Sequence, residues 1–287
     1  MKKGMSTMAI VILALTLVIG SVLLVFAYNL GLFAGDLARK EACAQSVRAH
    51  AFLHMRGEDF SDTVKCPTEY ITLDAGDPEK IKWRLATSLL DTSDVFLKGK
   101  EELFADDATY CAIYDVFSFT GEGEIADFSK FLIDEGPRGN KISFADDLQG
   151  YQTPRAKEVI STLSPDEIKL VESGTPIDLS KRYATVFLYA KGEDEIRNLL
   201  IHLDTQKYTL IAGGGVIAGG IYAGLVFSGP VGWAIGAVGV TVIGAGYAYD
   251  KLFGTATPPE WISMTLLREY DEEALRGIGC RILPVET

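Results

Sequence analysis

The first apolar segment of the chain lies near its N-terminus. From Met8 to Ala34 every residue is apolar or glycine except Thr16, Ser21 and Asn29. A helix of this length spans roughly 40 Å, which exceeds the ~30 Å hydrocarbon core of a bilayer. The segment has no polar stripe, although a soluble amphipathic helix would need one. The pattern predicts an N-terminal transmembrane anchor helix over residues 1–35.

A second apolar block covers residues 208–249, with no charged residue between Lys207 and Asp250. A turn signal at residues 228–232 divides it into halves that are each long enough to span a bilayer. Glycines recur at four-residue spacing, which lets two helix backbones approach closely in lipid. The block therefore predicts a glycine-rich transmembrane helical hairpin. Its helix-packing residues are Gly215, Gly219, Gly220, Gly224, Gly232 and Gly236.

Three other interpretations of this block compete with a permanent membrane hairpin. Residues 210–218 fit a dinucleotide-binding glycine turn, but that fingerprint needs an acidic residue about twenty positions later, and the nearest is Asp250. The block is also compatible with a hairpin that inserts on demand, as in pore-forming toxins. The third alternative is a hairpin buried in a soluble core.

Between and after the apolar blocks, alternating patterns predict one α+β domain with an antiparallel sheet. It is built from residues 36–207 and completed by C-terminal strands in residues 250–287. The predicted strands are Glu69–Asp74, Thr109–Phe119, Arg182–Ala190, Trp261–Glu269 and Cys280–Val285. The predicted helices are Pro78–Phe104, Glu124–Asp134, Pro154–Leu163 and Ser164–Glu172.

Charge sets the expected orientation and excludes one class of partner. Lys2 and Lys3 precede the anchor, whereas the charges just after it cancel, so the positive-inside rule places the N-terminus in the cytoplasm. The main domain is then extracytoplasmic, on the outer side of the cell membrane. The formal net charge of −12 argues against nucleic-acid binding, because such a surface repels phosphate.

The chain contains four cysteines, and all of them fall on the outer side in this topology. Four cysteines allow three pairings. We favour Cys43 with Cys66, which closes a short loop, and Cys111 with Cys280, which ties the C-terminal strand to the sheet. Four buried free thiols are the alternative. A zinc site is disfavoured because the chain has no C-x-x-C pair.

Two short motifs carry a resemblance. Lys2-Lys3-Gly4 before a long apolar helix resembles the class III signal of archaeal pilins, in which a peptidase cuts after the glycine, although Ala9 stands where those proteins usually have glutamate. Cys43 followed by Cys66-Pro67-Thr68 resembles a group of uncharacterised archaeal membrane-anchored extracytoplasmic proteins. The resemblance implies an anchor followed by an outer α+β domain, and it implies no activity.

Candidate chemistry is sparse. His50 and His54 are spaced as a metal half-site on a helix, but Ala51 stands where a zincin has its glutamate. Adjacent acidic pairs occur at residues 101–102, 106–107 and 146–147 without a calcium-loop pattern. We find no motif of a hydrolase, kinase or nucleotide-binding enzyme. No catalytic residue, metal ligand or cofactor is therefore assigned, and enzymatic activity has no support.

Aromatic residues cluster at alternate positions of two predicted strands, which is the pattern of core packing. They are Tyr110, Tyr114, Phe117, Phe119, Tyr183, Phe187 and Tyr189. Together these patterns predict a membrane-anchored envelope protein with a binding or scaffolding role. Its expected partners are the lipid bilayer and, through the hairpin, itself or another membrane protein. The alternative function is a pore-forming or channel-like protein that assembles through the glycine-rich hairpin.

Overall fold

A computed structural model describes part of the chain, and it divides the chain into two units, Met1–Ala42 and Cys43–Thr287. The described residues are 18–19, 21, 37–53, 64–99, 101–137, 142–148, 176–205, 210–212, 215–218, 221–223, 260–270 and 279–283. In the first unit they are all helical, and Val18 and Ile19 are 61% and 51% exposed. The rest of the predicted anchor lies outside the described residues. Within the described part of the chain, no helix is both long enough and apolar enough to cross a membrane.

The second unit is an α+β fold. In chain order the elements are α1 (37–53), of which residues 43–53 belong to this unit, β1 (Glu69–Asp74), α2 (Pro78–Val95), a 3₁₀ turn (Leu97–Gly99), β2 (Thr109–Thr120), β3 (Glu124–Ile125), α3 (Phe128–Asp134), α4 (Phe144–Leu148), β4 (Ile177–Asp178), β5 (Tyr183–Lys191), α5 (Glu193–Thr205), β6 (Leu210–Ala212), β7 (Gly215–Ala218), β8 (Ile221–Ala223), β9 (Trp261–Glu269) and β10 (Arg281–Ile282). The predicted strands therefore exist, and two of them have the predicted bounds.

The central sheet has the order β1-β2-β5-β9, with β10 beside the first residues of β2. β5 pairs antiparallel with β2 and β9, but β1 and β10 run parallel to β2. The sheet is thus mixed and mostly antiparallel, which corrects the expectation of a purely antiparallel one. The physical reason is the connection from β1 to β2. It contains helix α2, and a helical crossover returns the chain to the same end of the sheet.

A β-bulge interrupts the pairing of β2 with β5. Ile113 pairs with Val186 and Asp115 with Thr185, so Tyr114 is an extra residue in β2. Alternation before the bulge places Tyr110 and Ala112 on one face, and Asp115 and Phe117 continue that face after it. The bulge therefore brings a buried carboxylate into an otherwise aromatic face of the sheet.

Helices cover both faces of the sheet. On the face with Tyr110 and Phe117, helices α1 to α4 enclose two apolar clusters, one beneath α1 and the end of α2 and the other beneath α2, α3 and α4. On the opposite face lies α5, whose Glu195 accepts a hydrogen bond from the Thr109 hydroxyl at 3.0 Å. Five of the seven aromatic residues predicted to form core are buried, namely Tyr110, Tyr114, Phe117, Phe187 and Tyr189, and Phe119 and Tyr183 are partly buried against the second cluster.

Helix α2 ends nine residues before the predicted end at Phe104. Asp77 caps its start by accepting a hydrogen bond from the backbone N–H of Lys80, and Pro78 occupies the first turn. After Val95 the chain turns sharply, because Leu97 and Lys98 have left-handed φ values of 58° and 52°. Such a backbone is unfavourable for side chains with a Cβ. Here the turn inserts Phe96 into the core, where it stacks on Phe187 at 4.2 Å.

Two ion pairs support this turn. The ammonium of Lys98 lies 2.8 Å from Asp147 Oδ1 and 3.3 Å from Asp94 Oδ1. Burial lowers the pKa of Lys98, but the hydrogen bond and charge of Asp147 and Asp94 outweigh it, and the pKa is raised from its usual value. Lys98 thereby joins the end of α2 to α4.

Other predicted boundaries also shift. The predicted helix Glu124–Asp134 begins as strand β3, which pairs with β4, and only Phe128–Asp134 is helical. Helix α5 was not predicted, although Glu193, Asp194 and Glu195 form an acidic first turn that is typical of a helix start. The predicted helices Pro154–Leu163 and Ser164–Glu172 lie outside the described residues.

The glycine-rich block differs from the predicted helical hairpin. Its described residues form strands β6, β7 and β8, which pair antiparallel. Gly215 lies in β7 opposite Ala212, and the other five predicted helix-packing glycines lie outside the described residues. The sequence offers a reason. Glycine is a poor helix former, whereas valine, isoleucine and tyrosine favour strands. The sequence also has two glycine pairs, at residues 213–214 and 219–220, and such pairs are typical of two-residue hairpin loops.

Candidate functional site

The described residues line an open cavity of about 540 Å³ beside helix α2. One wall is a stripe of α2 at helical spacing, formed by Lys80, Trp83, Arg84, Thr87 and Leu90. The remaining walls are Leu73 at the end of β1, Pro137 and the first residue of α4, Phe144. The opposite stripe of α2 packs on the sheet, so this one is left to face the cavity.

Most of the wall is apolar. The indole of Trp83 meets the ring of Phe144 edge to face at 5.3 Å and that of Phe131 in the same manner at 5.4 Å. Leu73 and Leu90 complete this surface and are themselves 8% exposed. The cavity can therefore shield one side of an apolar or aromatic group from water.

The polar part of the lining consists of the hydroxyl of Thr87 and two cations, Lys80 and Arg84. Lys80 is exposed at the first turn of α2, and Arg84 follows it by one helical turn. The two cations therefore lie side by side. No carboxylate belongs to the described lining, so this part of the lining is basic in a chain with a net charge of −12.

One acidic residue lies next to the cavity. Glu69 Oε2 is 3.6 Å from Arg84 Nη2, which is an ion pair beyond hydrogen-bond distance. The side chains of Arg84 and Glu69 are 27% and 38% exposed. The Oε2 atom of Glu69 is itself buried, and at 3.6 Å it makes no hydrogen bond with the guanidinium. The N–H donors of Arg84 can therefore still form a closer, bidentate contact with a second carboxylate.

Lys82 belongs to a different stripe of α2 and does not line the cavity. Its ammonium lies 3.0 Å from Asp127 Oδ2 and also pairs with Glu79. Burial lowers the pKa of Lys82, but the hydrogen bonds with Glu79 and Asp127 outweigh it and raise the pKa above its usual value. This lysine is thus a charged structural link between α2 and α3.

A close backbone contact shapes the loop wall. The N–H of Phe144 donates to the carbonyl of Glu135 at 2.7 Å, which closes the loop that carries Pro137. An added Cβ on Gly136 would lie 1.8 Å from the carbonyl oxygen of Ile142. Position 136 therefore accepts only glycine, and this packing fixes where Pro137 and Phe144 stand.

A second polar cluster lies between α2 and the sheet. Ser88 Oγ donates to Asp115 Oδ2 at 2.5 Å and lies 2.8 Å from Thr185 Oγ1, which accepts from the N–H of Asp115 at 3.2 Å. Because the Ser88 hydroxyl has one proton, Thr185 donates to Ser88. All three residues are at most 1% exposed, so a substrate cannot reach the serine. The cluster is structural.

All four cysteines form disulfides. Cys43 in α1 is bonded to Cys66, and Cys111 in β2 is bonded to Cys280 next to β10. These are the pairings that the sequence analysis favours. The first holds α1 against the chain that leads into β1, and the second attaches β10 to the sheet.

The described residues among those considered for metal binding are not brought together as a site. The Nε2 atom of His50 lies 2.6 Å from the carbonyl oxygen of Leu103, and the histidine is 2% exposed. His54 lies outside the described residues. Each acidic pair instead contributes a partner to an ion pair: Glu102 to Lys191, Asp106 to Arg281 and Asp147 to Lys98. Among the described residues, no group of three potential ligands could hold a metal ion.

The cavity is not among the sites predicted from the sequence. Its signal is present in α2, where Lys80, Trp83, Arg84, Thr87 and Leu90 share one stripe that is neither wholly apolar nor wholly solvated. The pattern of this stripe does not predict that β1 and α4 form the opposite walls of the cavity. Comparison of the chain with protein-family models, with curated proteins and with solved structures found no match to any of them.

Proposed function

We propose that the chain is a membrane-anchored binding protein of the cell envelope. Its α+β unit stands outside the cytoplasm, and the cavity beside α2 is its binding site. The observation that carries the proposal is the pair of disulfides in the unit that also holds the cavity. Disulfides are typical of oxidising, extracytoplasmic compartments and rare in the cytosol.

The chemistry of the cavity favours binding over catalysis. Its described lining offers aromatic surface, one hydroxyl and two cations. The two cations can hold an anionic group, and the rings of Trp83 and Phe144 can hold an apolar one. This combination gives orientation and affinity, as in ligand pockets of similar size.

The apolar segments provide the attachment in this proposal. Residues 8–34 cross the membrane, and residues 208–249 contact the bilayer, a second copy or another membrane protein. The exposed helical residues Val18 and Ile19 support the first part, since adjacent exposed apolar side chains mark a surface that contacts lipid or protein. The N-terminus is then on the cytoplasmic side.

Membrane extraction tests the anchor. We expect the full chain to stay with membranes after an alkaline carbonate wash and to dissolve in mild detergent. Carbonate should release a larger fraction of the variant V18D/I19D than of the wild type, because each acid near the middle of a span costs about 2.5–3.5 kcal/mol. V18L/I19L is the matched control and should behave as the wild type. Release of the wild-type chain by carbonate would overturn the proposal.

A further inference from the structure

We propose that the ligand of the cavity beside α2 is a small organic carboxylate with an aromatic body. Its carboxylate pairs with Arg84 and Lys80, and its ring lies against Trp83 and Phe144. The inference deepens the proposed binding function and rests on it. It is carried by the juxtaposition of two cations with an aromatic wall in one cavity.

The charge of the lining selects an anion. Lys80 and Arg84 are the charged residues of the described lining, and among the described residues neither donates a side-chain hydrogen bond to a carboxylate. A neutral ligand would leave two like charges side by side, whereas an anion between them relieves the repulsion. The rest of the molecule is acidic, so a basic cavity does not follow from composition.

The geometry at Arg84 favours a carboxylate. A guanidinium matches the two oxygens of a carboxylate with two parallel N–H donors. Glu69 already lies against Arg84, but at 3.6 Å it makes an ion pair without this bidentate contact. A ligand carboxylate that enters from the cavity can make this bidentate contact with Arg84 beside Glu69.

The apolar wall and the volume of the cavity indicate what the rest of the ligand is. The cavity of about 540 Å³ lies within the usual range for small-molecule sites and far exceeds what a bare inorganic anion fills. Trp83 and Phe144 offer ring edges and faces in a T-shaped pair, to which another aromatic ring can add. Leu73 and Leu90 lie beyond them as an apolar boundary.

Isothermal titration calorimetry on the full chain in detergent tests the inference with four probes. They are indole-3-propionate, its neutral amide indole-3-propionamide, octanoate and inorganic phosphate. We expect indole-3-propionate to bind about tenfold or more tightly than the amide, since the pair differs by one charge-assisted contact. It should also bind more tightly than octanoate, which has no aromatic ring, and than inorganic phosphate, which has no organic group to fill the cavity.

Variants locate the contact. R84M and K80M should each weaken indole-3-propionate binding about tenfold. The affinity of R84K should lie between those of R84M and the wild type, because lysine keeps the positive charge but lacks the two parallel N–H donors of the guanidinium. R197M and K130M are matched controls, since both residues are exposed and pair within their own helices. E69Q should tighten binding, because Arg84 loses its competing carboxylate.

E69Q keeps the inference falsifiable if a cavity variant fails to fold. Equal affinity for the acid and the amide, unchanged affinity in E69Q and R84M, or preference for octanoate or phosphate would overturn the aromatic carboxylate. If none of the four probes binds a chain that carbonate does not release, the ligand inference fails and the anchor proposal stands. If indole-3-propionate binds as expected to a chain that carbonate releases, the cavity assignment stands and the anchor proposal fails.

Discussion

At the scale of single residues, the bulge at Tyr114 shows how one position changes the chemistry of a face. It turns Asp115 toward α2, where its carboxylate accepts a hydrogen bond from the Ser88 hydroxyl although the residue is only 1% exposed. A buried charge without hydrogen bonds is strongly unfavourable. Alternating apolar and polar positions do not reveal a bulge, so the pairing of Ser88 with Asp115 could not be predicted from the sequence.

This cluster gives a stability prediction. S88A should lower the free energy of unfolding by about 1–3 kcal/mol, because it removes a hydrogen bond to a buried carboxylate. S118A is the control. Ser118 Oγ contacts Thr72 Oγ1 at 3.0 Å near the surface, and its removal should change stability by less than about 0.5 kcal/mol. Urea unfolding of both variants measures this difference. Equal losses of unfolding free energy in S88A and S118A would contradict a structural role for Ser88.

At the scale of elements, the sequence predicts the bounds of the strands better than it predicts which strands pair and in which direction. Glu69–Asp74 and Trp261–Glu269 have the predicted bounds because alternation and β-branched residues mark them clearly. The parallel pairing of β1 and β10 and the end of α2 depend on contacts far apart in sequence. The described part of the glycine-rich block is strand rather than the predicted helix, because small residues at four-residue spacing also fit strands joined by glycine pairs.

The loop wall of the cavity gives a prediction at this scale. G136A should destabilise the chain by about 1–3 kcal/mol and weaken ligand binding, since its Cβ forces the carbonyl of Ile142 away and displaces Phe144. G76A is the control, because its Cβ would meet only the flexible side chain of Asp74, at 3.3 Å. Thermal unfolding and calorimetry of both variants test this. Unchanged binding in G136A would show that the loop does not position the wall.

At the scale of the whole molecule, disulfides connect the elements that surround the sheet. The bonded cysteines are separated by 23 and 169 residues. By loop entropy, closing chains of these lengths stabilises the fold by about 3 and 5 kcal/mol respectively. A chain that depends on both bonds needs an oxidising compartment to reach its full stability. Redox state is therefore the property that most directly links this fold to a location.

Thiol trapping in living cells measures that property. Cells that express the full chain are treated with N-ethylmaleimide, and the protein is then mapped by mass spectrometry without reduction. The account predicts that no cysteine carries the reagent and that Cys43–Cys66 and Cys111–Cys280 appear as linked peptides. Four cysteines alkylated before any reduction would place the folded chain in a reducing compartment and contradict the extracytoplasmic binding function.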